Sequence, residues 1–224
     1  MSKFFSATLV AALSLCSFAV SRYSAGQAPA PAPVAAPAAS NLSQPYTRPD
    51  LNMTYNPPAG WKTQDTTLVK AEGADAKTAN CMKVLLSSTP ESASQGLGGL
   101  SIGITVIDAA RSCVAADMTP EAQLQSMVEA TGKMPGLKPV KNASAYFIDG
   151  RTFWAMVAKG KPQLTDGTSS STEIYVAMVG AVVKDHVVLW EMAAADLAML
   201  QQMLTSTVQF TGKQPHILYK VNLK

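Results

Sequence analysis

The chain has 224 residues, 47% apolar and 15% charged, which excludes a disordered chain, a collagen and a small disulfide knot and leaves room for one ordinary folded domain. Lys and Arg number 18 against 15 Asp and Glu, a formal charge of +3. That excess is too small and too scattered along the chain for nucleic acid, which needs many cations gathered on one face.

Met1-Ser2-Lys3 opens on a positive charge, residues 4–20 carry none, and Arg22 closes the run. This order reads as a secretory signal peptide over residues 1–21, with small residues at Ala19-Val20-Ser21 or Ser24-Ala25-Gly26 as cleavage points. The competing reading is an uncleaved anchor, because an apolar run of about 17 residues is near the lower limit for a span. Acylation at Cys16 is disfavoured, since Leu15 precedes it and the apolar run continues to Val20. Residues 22–49 form a Pro/Ala-rich linker, with Ala28-Pro29-Ala30-Pro31-Ala32-Pro33 at its heart. Recurrent proline without apolar periodicity implies an extended, polyproline-like spacer. Beyond the signal no run approaches the ~20 apolar residues of a membrane span.

Once the signal is removed two cysteines remain, Cys81 and Cys113. An exported pair reads as a disulfide; its loop of about 32 residues would contribute about 3 kcal/mol by chain entropy. Two separately buried thiols are the alternative. His186 and His216 are the only histidines. Neither lies at ligand spacing from a cysteine, and CxxC and HExxH are missing, so no metal or cofactor is expected.

The globular domain is placed at residues 50–212, with a tail over 213–224. Met53-Thr54-Tyr55 alternates like a strand, Asn56-Pro57-Pro58-Ala59-Gly60 turns, and Trp61-Lys62-Thr63 resumes the extended pattern. Residues 82–86 and 102–107 are aliphatic strands. Gly96-Leu97-Gly98-Gly99 precedes a strand and opens no helix, so it reads as a loop and not as a phosphate cradle. Thr119-Pro120-Glu121 announces a helix, Leu124, Met127, Val128 and Thr131 form its buried face, and Gly132 is placed to end it.

Residues 145–148 and 152–158 flank Asp149-Gly150, the signature of a type I′ hairpin. Residues 174–183 and 187–192 flank a second turn at Lys184-Asp185-His186. His186 at that tip reads as a solvated turn residue, and an acid/base pair of Asp185 with His186 is the reactive alternative. Residues 159–171 form a polar loop. Asp196 opens a second amphipathic segment with Leu197, Leu200, Met203, Leu204 and Val208 at helical spacing. Glu191 is the odd charge in an apolar strand; by alternation it faces away from Trp190. Met127, Met134, Met156, Met178, Met192, Met199 and Met203 are spaced as core filler, in preference to a copper(I) site.

Hairpins with two separated helices imply an α+β fold, an antiparallel sheet of about six to seven strands covered by helices. The order of parts resembles the PsbP-like superfamily, including the DcrB-like bacterial envelope proteins. The residues that carry the resemblance are Tyr55, Pro58, Gly60 and Trp61, the Asp149-Gly150 hairpin, the strand ending at Trp190, and a closing segment into Thr205-Ser206-Thr207-Val208-Gln209-Phe210. It spans residues 51–210 and implies an αβα sandwich with, usually, a non-catalytic role. No catalytic motif is carried over with it.

The chain itself holds no G-x-S-x-G elbow, Walker loop or Ser-x-x-Lys. The expectation is an exported, non-catalytic binding or adaptor module of the cell envelope, secreted or periplasmic, acting as a monomer on a protein or small ligand. The alternative is a secreted hydrolase-like enzyme using carboxylates or Asp185 with His186.

Overall fold

A computed structural model describes residues 41–42, 45–66, 81–91, 102–111, 116–164 and 167–218. The expected signal peptide, most of the linker, Cys16, Cys113 and the glycines at 96, 98 and 99 lie outside the described residues.

Two antiparallel sheets are built from strands numbered in chain order. The larger runs, edge to edge, β1 (Asn41–Leu42), β4 (Trp61–Asp65), β5 (Met82–Pro90), β6 (Gly103–Ala109), β10 (His186–Ala194), β9 (Ile174–Val183), β8 (Arg151–Gly160) and β7 (Leu137–Ile148). The smaller runs β12 (His216–Ile217), β11 (Thr207–Phe210), β3 (Met53–Asn56) and β2 (Tyr46–Arg48). Helix α1 (Pro120–Thr131) lies over β7 to β10 on the outer face, and α2 (Leu197–Leu204) lies against β9 and β10. The molecule is thus α+β with an antiparallel sheet at its centre. The inner face is covered by α2 together with the small sheet, which was not expected from the sequence.

Local chemistry accounts for the elements. The Thr119 hydroxyl accepts the Ala122 N–H at 3.2 Å, and Pro120 starts α1 where a missing N–H costs nothing. Gly132 follows α1 with a helical φ of −74°. Its hydrogen matters for clearance, since a Cβ there would stand 1.9 Å from the Met156 methyl. The Asp149-Gly150 turn has φ of 49° and 75°, the double positive angle that the type I′ hairpin requires.

Strand alternation divides the core in two. Trp190, Met192, Val179 and Phe153 point inward to meet Tyr55, Val208 and Phe210 of the small sheet and Leu200 and Met203 of α2. The rings of Tyr55 and Trp190 lie 6.1 Å apart and those of Phe153 and Phe210 6.3 Å apart, tilted contacts that stabilise beyond simple burial. On the outer face Leu124, Met127 and Val128 of α1 cover Met156, Met178, Val187 and Leu189. Met127, Met156, Met178, Met192 and Met203 are all buried, and Met134 and Met199 pack partly against the core, so the methionines fill space between the layers.

Three sequence expectations are corrected. Val208 is a strand residue opposite Tyr55, because α2 stops at Leu204. The Thr205 hydroxyl returns to the Gln202 carbonyl at 2.6 Å and the Ser206 hydroxyl to that of Met203, ending the helix. The β-branched run that follows then pairs with β3. His186 is no turn residue: Lys184 takes a positive φ of 55°, the turn closes in two residues, and His186 pairs with Val183 as the first residue of β10. Packing also runs past both boundaries placed at Asp50 and Gly212. Tyr46 is buried ahead of the first, while His216–Ile217 pairs with β11 and Leu218 is buried beyond the second.

Candidate functional site

The polar side chains collect at the end of the sandwich where the β7–β8 and β9–β10 hairpins turn. Arg151 of β8 donates to the Val182 carbonyl of β9 at 2.9 Å, which brings the two turns alongside each other.

Asp108 is the one buried carboxylate among the described residues that belong to the core. It continues the inward row of Ile104 and Val106 along β6 and faces Val188 of β10 in register. An acid here needs partners, because a buried charge without them is far costlier than a buried apolar group. Two are present. His186 Nδ1 lies 2.6 Å from Asp108 Oδ1, and the Arg48 guanidinium lies 3.6 Å from Oδ2. Asp185, the neighbour expected to pair with His186, is exposed at the turn, and Asp108 takes that place.

Arg48 is shared. Its Nε donates to Asp50 Oδ1 at 2.8 Å and its terminal nitrogen to Oδ2, a two-point clamp across the first turn of chain after β2. The Asp50 hydrogen bond raises the Arg48 pKa, and in return Arg48 holds the Asp50 carboxyl at about 2. Tyr46, next along the strand face, has its phenol pushed up by burial, which Arg48 partly opposes. Lys184 closes the group by donating to the Asp50 backbone carbonyl. The cluster fastens the small sheet, through β2, to the turn end of the large one.

A second histidine–carboxylate contact lies beside it. His216 Nε2 meets Asp149 of the β7–β8 turn, tying the last described strand to that hairpin. The Arg151 guanidinium stands 4.1 Å from the Phe210 ring centre, a cation–π contact. Burial among these rings lowers the Arg151 pKa. Glu191 sits between Thr105 and Met178, on the face opposite Trp190 as alternation implies. Among the described residues no three His, Cys, Asp or Glu gather at metal-binding distance.

The third feature is the β7 edge. Residues 138–141 include two lysines and Pro139, with register shifts on either side of Lys141, all devices that discourage foreign strands. Residues 144–148 pair with β8 without interruption, from Ser144 opposite Ala155 to Ile148 opposite Arg151. They include no charge and no proline. Phe147 is 77% exposed. It shares the outer face with Trp154, which stands opposite Ala145 and diagonal to Phe147.

Charge is concentrated on this hairpin, contrary to the scattered distribution expected from the sequence. Residues 133–161 hold Lys133, Lys138, Lys141, Arg151, Lys159 and Lys161 against Asp149 alone, an excess of five in a chain whose net charge is +3. Lys159 is paired with Glu173 at 2.7 Å, a hydrogen bond that raises its pKa. The charge run is readable in the sequence, whereas the edge is not, because it depends on which strand ends the sheet.

No protein-family model matches the chain, and no curated protein matches it. Among solved structures it is similar to the solution structure of cyanobacterial PsbP from Synechocystis sp. PCC 6803. The two share 12% identity at a TM-score of 0.40, over 75% of this chain and 88% of that one.

Proposed function

We propose that this chain is an exported, non-catalytic binding module that docks a partner against the outer half of β7. The exposure of Phe147, at the end of an uninterrupted edge segment and beside Trp154, carries the reading. A large apolar side chain held out on a regular strand edge beside a second aromatic offers a partner strand both main-chain groups and an apolar contact. The charge-free run over residues 4–20 and the Ala-Pro spacer support export. The Cys81 carbonyl accepts the Ala110 N–H at 2.8 Å, three residues before Cys113 in sequence. We propose that Cys81 and Cys113 are bridged.

Two measurements test this. N-terminal sequencing of the protein recovered from the cell envelope or medium should give a start near Ser21 or Gly26; an intact Met1 on an intracellular species overturns export. Tagged protein should retain a defined envelope partner that Phe147→Ser releases at unchanged melting temperature. Equal retention by both proteins overturns the docking role of β7.

One observation favours a second reading, a hydrolase-like enzyme. Asp108 holds Nδ1 of His186, whose side chain is 32% exposed, an arrangement that orients an imidazole as a base. In that reading Asp108 replaces Asp185 as the partner of His186. Hydrolysis of chromogenic esters or glycosides that His186→Ala abolishes would establish it, and equal rates in both proteins would remove it.

A further inference from the structure

On the reading that β7 is the docking edge, we infer that its partner is a second copy of this chain, joined edge to edge about a two-fold axis at Tyr146, in place of the monomer expected from the sequence. Among the described residues β7 is the last strand on its side of the large sheet. A two-residue hairpin makes the residues that flank it, Ile148 and Arg151, a hydrogen-bonded pair. By alternation Tyr146 also directs its N–H and C=O groups to β8, whereas Ala145 and Phe147 direct theirs away from it. An antiparallel two-fold at Tyr146 sets Ala145 of each copy opposite Phe147 of the other, so the outward groups meet in hydrogen-bonded pairs. Moving the axis one residue either way runs the pairing into the register shift between Lys141 and Ser144 or into the Asp149-Gly150 turn.

The side chains complement one another in the same register. On the outer face Trp154 stands opposite Ala145, and Thr152 opposite Phe147. Continued into the second copy, the row reads Trp154, Ala145, then Phe147 and Thr152 of the other chain. Ala145 carries only a methyl group, so the Phe147 ring of each copy crosses it toward Trp154 of the other. A foreign strand could satisfy the backbone; a copy of this edge also brings a ring to each small residue, and the two-fold covers both rings at once. Helix α1 leaves the area clear, since its end at Gly132 stands over Met156 and Pro139, farther from the turn. Residues 144–148 carry no charge, so the joint buries none. The antiparallel order sends Lys138 and Lys159 of the two copies to opposite ends. The contact of Lys141 with the Tyr146 ring, at 5.7 Å, belongs to each copy by itself and is not called on.

The test is sedimentation of the purified protein across a concentration series, together with residue-resolved amide exchange. So short a joint lies at the weak end for protein pairs, and a monomer–dimer equilibrium with a dissociation constant on the order of 10 μM is expected. Ala145→Lys, which sets a charge against the opposing ring, and Phe147→Ser should each weaken it at least about tenfold, at an unchanged melting temperature in dilute solution. The amides of Ala145 and Phe147 should exchange fast in dilute solution and slow as the dimer fills. Those of Tyr146 and Ile148, already bonded to β8, should be slow throughout.

A monomer at every concentration, a dimer that neither substitution weakens, or a dimer in which the Ala145 and Phe147 amides stay fast overturns the inference. If the protein is monomeric while Phe147→Ser still releases an envelope protein of different sequence, the docking role of β7 stands with another occupant. If nothing is released either, the docking role falls with the inference.

Discussion

His186 Nδ1 stands 2.6 Å from Asp108 Oδ1, and that carboxylate is 4% exposed while the imidazole beside it is 32% exposed. The pair joins β6 to the start of β10, and Arg48 approaches the other carboxylate oxygen from β2. A buried acid is thereby supported from both sheets.

Removing one side of this arrangement exposes its coupling. Asp108→Asn keeps the shape and loses the charge, and is expected to cost about 1–3 kcal/mol, below the full cost for a buried pair because both partners reach solvent. His186→Ala and Asp108→Ala should be non-additive by about 1 kcal/mol in urea denaturation. Strict additivity would show that the contact contributes nothing.

Stability should fall at both ends of the pH range. Arg48 holds Asp50 at about 2, against 3.8 in the free carboxyl. A depressed folded pKa contributes stability above 3.8 that is lost as pH falls through about 2. Asp50→Asn should therefore flatten the acid limb of the melting curve by lowering stability at neutral pH, modestly because the carboxylate is exposed, with the two proteins converging as pH falls to about 2. At the alkaline limb burial raises Tyr46 and Tyr55 above 10.0. Their contribution is complete below 10.0 and declines as pH rises toward the raised values. Ultraviolet titration should show Tyr46 and Tyr55 ionising above 10.0.

The clearance beneath α1 is testable at Gly132. Gly132→Ala places a methyl where the Met156 methyl now sits, at an expected cost of about 1–2 kcal/mol. Met156→Ala alone should destabilise by about 2–3 kcal/mol through the cavity it leaves. The double variant should be more stable than the two costs together imply, since each change relieves the other. A simple additive loss in thermal melts would place the strain elsewhere.

Reduction tests the proposed bridge. Dithiothreitol should lower the melting temperature, with a loss of about 3 kcal/mol for a loop of this size. Alkylation of unreduced, denatured protein should find no reactive thiol at residues 81 and 113. Free thiols at both, with an unchanged melt, would show that the cysteines are separate.

What the sequence reveals follows the range of the interactions. The Asp149-Gly150 turn and the Thr119-Pro120 helix start are legible because backbone angle and capping depend on neighbours. Glu191 is placed on the correct face because alternation is also local. Asp108 in Ile107-Asp108-Ala109 reads from the sequence only as one of several scattered carboxylates, since its partners come from residues 48 and 186. Val208 fits a helical stripe and a strand equally well, and the hydroxyls of Thr205 and Ser206 decide between them. The β7 edge is invisible for a related reason: only the finished strand order shows that nothing described lies beyond it.

The small sheet draws on both extremities of the domain. Its central partners are β3, where Met53 lies opposite Phe210 of β11, and β12 completes it from still later in the chain. The early hairpin of β2 and β3 therefore has no partner strand until β11 is made, about 150 residues later in the chain. Until then the ring contact of Tyr55 with Trp190 has no closed layer over it, so a late step joins the two sheets.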